Sequence, residues 1–181
     1  MKKAKTIATL LQIAQLGNPL VRKRAQKVTV PIDEKIKELI LNMKATCKDA
    51  IGVGIAAPQV YQSLRIFIIA SHPSPRYPNA PTMKPMVLIN PKLISYSKKK
   101  IKDWEGCLSI PGIRGFVPRY EQISVEYLTE EGKLVKKIFT GFLARIFQHE
   151  YDHIEGKVFL DRVENTKELM SEKEFQKMIR A

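Results

Sequence analysis

From residue 31 onward the apolar side chains Ile32, Ile36, Leu39, Ile40, Met43 and Cys47 recur at helical spacing, and Asp33 and Glu34 stand where a helix start favours negative charge. This predicts an amphipathic helix turned toward a core, with Cys47 in its buried stripe. A short apolar run over 65–70 reads as a strand, and two more strands are expected over 86–90 and 93–97. Period-two alternation over 122–128 and 134–139, on either side of Thr129-Glu130-Glu131-Gly132-Lys133, predicts a β-hairpin and so antiparallel pairing. A second helix is expected from the N-cap Thr140 to the stop signal Gly156. A last helical pattern covers 166–180 through Leu169, Phe175, Met178 and Ile179. Residues 71–85, rich in Pro and Ser, read as an inserted loop, and Lys98-Lys99-Lys100-Ile101-Lys102 as an exposed turn.

Composition narrows the class without choosing a function. A chain of 181 residues with 44% hydrophobic content fits one domain with a sizeable core. Its apolar runs are far shorter than the roughly 20 residues of a membrane span. Two cysteines do not make a disulfide framework at this length, which points to a reducing, cytoplasmic setting. The basic start Met1-Lys2-Lys3-Ala4-Lys5 imitates a secretory leader, but Gln12 and Gln15 interrupt the apolar stretch that follows. The net charge of +13 suits a polyanionic neighbour such as RNA, or simply a basic proteome.

The second helix carries the chemistry. In Gln148-His149-Glu150-Tyr151-Asp152-His153 two histidines stand four positions apart and aim at one point, as metal ligands on a helix do. Glu150 between them is placed to exchange protons with water. Phe142, Ile146, His149 and His153 share a stripe, so the metal edge adjoins the apolar one and faces inward. The longer zinc-protease pattern needs a third histidine where this chain has Phe159, which excludes that subclass although Gly156 matches. Glu172 or Glu174 could complete another zinc-peptidase arrangement. Cys107 is the stronger candidate, because Glu105-Gly106-Cys107-Leu108-Ser109 surrounds it with small and polar residues, although a structural cysteine is about as common. Upstream, Gly52-Val53-Gly54-Ile55-Ala56-Ala57-Pro58-Gln59 satisfies the dinucleotide fingerprint formally. It follows a helix, contains Pro58 and lacks a downstream acid, so it reads instead as a loop that lets backbone approach a ligand, with the Gln59 amide as a donor.

In combination, the glycine loop with Gln59, Glu105-Gly106-Cys107-Leu108-Ser109 and His149-Glu150-Tyr151-Asp152-His153 resemble the three signature motifs of the peptide deformylases over about residues 16–165. Ile110-Pro111-Gly112-Ile113-Arg114-Gly115-Phe116-Val117-Pro118-Arg119 also resembles the family's segment after the cysteine motif, and the helical ending its bacterial type I branch. The resemblance implies removal of formate from N-formylmethionine of nascent chains. It implies Cys107, His149 and His153 as ligands of one divalent ion, Fe²⁺ first, with Ni²⁺, Co²⁺ or Zn²⁺ as substitutes. Glu150 becomes the proton shuttle, Gln59 and the Leu108 backbone N–H the oxyanion donors, and Gly54 a backbone partner of the substrate. Ile55, Phe142 and Ile146 are expected in the methionine pocket, Arg114 further along the peptide, and Asp152 beside a ligand histidine or a cation. The expected fold is α+β, with antiparallel sheets around a central metal-bearing helix and a C-terminal helix at 166–180, all in one catalytic domain. Residues 1–14 form an N-terminal extension of open role. A cytoplasmic monomer in transient contact with the ribosome, and with no membrane partner, completes the expectation.

Overall fold

The computed structural model describes residues 7–180, so the basic start Met1-Lys2-Lys3-Ala4-Lys5 lies outside the described residues. The first long element is α1 (Glu34–Asp49), capped by the Asp33 carboxylate, which accepts from the Ile36 N–H at 2.9 Å. Its stripe of Ile40, Met43 and Cys47 is buried as the spacing requires. Before it, Thr9 N–H donates to the Asn42 side chain and Leu11 N–H to the Thr46 hydroxyl, which ties this part of the N-terminal segment to the helix.

Eight strands follow among the described residues: β1 (Gly54–Ala56), β2 (Ile66–Ile69), β3 (Met86–Tyr96), β4 (Lys100–Cys107), β5 (Ile110–Tyr120), β6 (Gln122–Leu128), β7 (Leu134–Thr140) and β8 (Leu169–Ser171). They form a five-stranded sheet in the order β1-β2-β3-β6-β7 and a three-stranded sheet in the order β4-β5-β8, antiparallel throughout. The two strands expected over 86–97 are one. Asn90 turns to φ +49° and its amide bonds Val28 N–H and C=O at 2.8 Å each, so the chain passes Pro91 as a bulge and continues.

Between the sheets lies α2 (Gly141–Ile154), entered from Thr140 and left through Gly156 at φ +73°. Phe147 meets Phe67 of β2 edge-on at 5.2 Å and Phe139 of β7 at 5.8 Å, with Ala144 and Ile154 beside it in the same core. Each such buried Phe or Ile contributes about 1.5–3 kcal/mol. The opposite side of α2 is polar, and there Gln148 bonds both the N–H and C=O of Tyr120 on β5. The C-terminal helix is shorter than its pattern: α3 spans Glu172–Met178, because Leu169–Ser171 pairs with Ile113–Gly115 at the β5 edge before Ser171 caps the helix.

Candidate active site

Cys107 ends β4 at a tight turn through Leu108 and Ser109, and α2 brings His149 and His153 against it. The three possible ligand atoms lie within 4.8 Å of one another, with Cys107 Sγ 3.2 Å from His153 Nε2. Burial alone would raise the Cys107 thiol, but the imidazoles of His153 and His149 beside it hold it well below its ordinary value. Burial would lower His149, whose bonds to Cys107 and Glu105 pull it well above the usual histidine range. His149 Nδ1 lies 2.9 Å from Glu105 Oε2, which fixes the ring and turns Nε2 toward the cysteine. His153 Nδ1 is buried and without a partner among the described residues. Phe159, where another metal pattern would have its third histidine, stacks on the His149 ring at 6.3 Å.

Glu150 faces the same space. Its Oε2 is buried with no hydrogen bond among the described residues, and burial pushes the carboxyl up to about 7. Gly54 is what admits it: a Cβ there would fall 2.5 Å from Glu150 Oε1. Gln59 is buried in a 3-10 turn after β1, its side-chain amide oxygen Oε1 accepting from Ala56 N–H at 2.8 Å. That bond orients the amide, so Nε2 points to Ser109 Oγ at 3.2 Å and Cys107 Sγ at 3.5 Å. The N-terminal segment steadies both turns, since Ala14 N–H donates to Gln59 C=O and Leu16 N–H to Ser109 C=O. The cavity they face, about 50 Å³, is bordered by Gly54, Gln59, Cys107, Leu108, Ile146 and Glu150 among others, with Phe142 further along α2. It has room for a few waters.

One thiolate and two imidazoles suit a divalent transition ion, and an orphan carboxylate oxygen beside them suits a site that holds a cation and water. The residues present therefore fit a single metal ion.

Behind the ligands lies a network of buried charges that the sequence patterns left mostly unread. Arg119 grips Glu105 with two bonds of 2.9 Å and reaches Asp152 at 2.6 Å. Arg145 adds a bond of 2.8 Å to Glu105, and Arg162 closes on Asp152. Burial would raise Glu105, but the Arg119 charge and the His149 and Arg119 bonds hold it well below the usual carboxylate range. Glu105 orients His149, while the Asp152 carboxylate pairs with Arg119 and Arg162 and has no hydrogen bond to either histidine among the described residues. The helical spacing of Arg145, His149 and His153, four apart in each step, was a signal that Arg145 faces inward.

One expected substrate contact falls elsewhere. Ile55 is sealed in the core between α1 and the sheet, because strand parity turns it away from the face that Gly54 opens. Arg114 borders the cavity but is fully buried: Glu172 takes its Nε and Nη2, and Tyr77 OH accepts from Nη1 at 3.0 Å. Tyr77 comes from the inserted loop, accepts from Gly106 N–H at 3.4 Å and packs on Phe142 at 5.1 Å.

The polypeptide deformylase family model matches residues 10–169. The chain belongs to the peptide deformylase family. "Peptide deformylase 2" of Nostoc sp. is 52% identical over 170 residues, 94% of this chain and 95% of that one. Among solved structures, a Met-Ala-Ser-bound class I type b peptide deformylase from Acinetobacter baumannii superposes with a TM-score of 0.85 at 42% identity, covering 87% of this chain and 100% of the other. The Thermotoga maritima peptide deformylase gives 0.77 at 36% identity, covering 87% and 99%. The deformylase family match ends within β8, so α3 lies beyond it.

Proposed function

We propose that this centre carries out the deformylase reaction through the residues assembled around Cys107, His149 and His153. The reaction is hydrolysis of the formyl amide of N-formylmethionyl peptides: the C–N bond breaks, a C–O bond forms from water, and formate leaves. The observation that carries the assignment of roles is a buried Glu150 Oε2, without a hydrogen bond among the described residues, beside an oriented Gln59 amide, both facing the three ligand atoms. A divalent ion held by Cys107, His149 and His153 would supply Lewis acidity toward the formyl group and acidify water, Fe²⁺ first, with Ni²⁺, Co²⁺ and Zn²⁺ also compatible with the donors. Glu150 takes the proton of water at Oε2 and returns it to the leaving amine nitrogen. Gln59 Nε2 and the Leu108 backbone N–H donate to the carbonyl oxygen as negative charge grows there. The Gly54 backbone meets the peptide, and Ile146 with Phe142 receives the methionine side chain.

The chain works as one catalytic domain, a cytoplasmic monomer whose surplus of 13 positive charges supports transient contact with ribosomal RNA. No helix among the described residues is long and apolar enough to cross a membrane. Protein loaded with Fe²⁺ without oxygen should release formate from a formyl-Met peptide with one metal per chain; internal peptide-bond cleavage in its place would refute the reading.

A further inference from the structure

A cleft of about 680 Å³, none of whose walls belongs to the active site, opens between the segment before α1, the start of β2 and the bulge of β3. Arg24, Lys27, Arg65 and Lys92 border it, together with the Tyr151 ring of α2 and one carboxylate, Glu126 of β6. Backbone bonds fix its walls: Arg65 N–H donates to Gln26 C=O and Asn90 N–H to Arg65 C=O, both at 2.8 Å, while the Asn90 amide holds Val28. The carboxylates are outnumbered. Glu155 pairs with Arg24 at 3.0 Å and with Arg65 at 2.7 Å, and Glu126 with Lys92 at 3.3 Å and with Lys136 at 4.0 Å. Lys27 has no ion pair among the described residues, so five cations in and beside the cleft share two carboxylates. Arg65 is only 7% exposed, its guanidinium carbon 5.6 Å from the Tyr151 ring centre and its Nη2 3.4 Å from Pro91 C=O. Its Nη1 is buried and has no hydrogen bond among the described residues.

The ligand class follows from the donor set. A guanidinium offers parallel N–H groups to two oxygens of one oxyanion, lysines add point charges around it, and a buried charged donor left without a partner is costly. Arg65 is held rigid, half-neutralised and short of one bond, while Lys27 and Lys92 stand at the rim with mobile ammonium groups. A cationic ligand would meet the surplus of positive charge, and a neutral one would leave it uncompensated. We propose that this cleft binds phosphate groups, with Arg65 supplying the directional bonds and Lys27 and Lys92 the surrounding charge. A free phosphate ion and the phosphodiester chain of RNA present the same oxygens, and the second gives the contact with RNA proposed above a defined surface. Nothing in this site depends on the chemistry at Cys107.

The test uses the full metal-loaded chain and two probes, a fluorescent oligouridine RNA followed by anisotropy and inorganic phosphate followed by calorimetry, each against chloride at equal ionic strength. Wild type is compared with K27S/K92S, with R65K and with K173S/K177S, which removes two exposed charges of α3 outside the cleft. K27S/K92S should lose at least about tenfold in affinity, and its slope of log K against log salt for RNA should shrink by about 1.4, two contacts at about 0.7 each. R65K, which keeps the charge and loses the fork, should lose about threefold or more. K173S/K177S should stay within about twofold, and formate release should be unchanged in every variant. Binding of the RNA alone supports the site with the phosphodiester chain as its ligand, and binding of the phosphate ion supports it with the free ion. Equal weakening in K27S/K92S and K173S/K177S overturns the cleft and leaves a contact with RNA through general charge. Full affinity in R65K overturns the part given to Arg65, and a wild type that binds neither probe overturns both the cleft and the RNA contact.

Discussion

Gly54→Ala isolates the placement of Glu150 from the rest of the site. The added Cβ would lie 2.5 Å from Glu150 Oε1, 2.9 Å from Cδ and 3.0 Å from Cγ, where ordinary contact begins at 3.4 Å. The carboxylate must therefore retreat by about 0.9 Å, the difference between 3.4 and 2.5. A misplacement of about 1 Å in a reacting group costs on the order of 100-fold in rate, or about 2.7 kcal/mol of transition-state stabilisation. Folding should barely respond. The backbone of Gly54 is not in the left-handed region, the atoms that must move end a side chain, and alanine is favoured over glycine within a strand by up to about 1 kcal/mol. Steady-state formate release from formyl-Met-Ala, metal analysis and thermal melting on the same preparation separate these effects. The expected result is kcat/KM down by about 100-fold, one metal per chain and a Tm within about 3 °C of the wild type. A kcat/KM within threefold of the wild type, with metal retained, would refute the link between that contact and catalysis.

Cys107→Ala removes one of three donors, and metal content should fall from one per chain to under about a tenth after dialysis; full retention would favour a zinc-peptidase arrangement with other ligands. Arg119→Met leaves Glu105 and Asp152 without their shared buried partner, a loss of about 3–5 kcal/mol. Thermal melting should drop by roughly 10 °C, and metal affinity by about 10–100-fold, because Glu105 then holds His149 less firmly. A Tm within about 2 °C would contradict the structural weight given to Arg119.

The parts of the fold legible in the sequence are those where burial is apolar. The stripe of α1, the alternation of β6 and the histidine spacing on α2 each carry a single period, and the structure keeps all three, whereas β7 forms as a strand with Phe139 buried and Leu134 and Ile138 exposed. The β4–β5 hairpin went unread because its buried positions include Glu105, Arg114 and Arg119, so the alternation that marks a strand is written there in charges. The same network hid Arg145, which lies on the ligand face of α2 but carries no apolar signal. The C-terminal pattern ran too long because residues 169–171 satisfy helical spacing yet find an open strand edge in β5, a tertiary partner no local period reports. Ile55 was misplaced for a simpler reason: a glycine that opens a pocket in a strand turns its neighbour to the other face. Arg114 carries the motif's charge, but its partner Glu172 comes from 58 residues further along the chain.

The central claim is that Glu150 moves the proton while Cys107, His149 and His153 hold the ion. Glu150→Gln separates these roles at nearly constant shape, and the decisive measurement is metal content and formate release on the same oxygen-free preparation. One metal per chain with kcat lowered by a factor of at least about 100, the lower end expected for a general acid–base group, is the predicted result. Turnover within a factor of three of the wild type at full metal occupancy would contradict it.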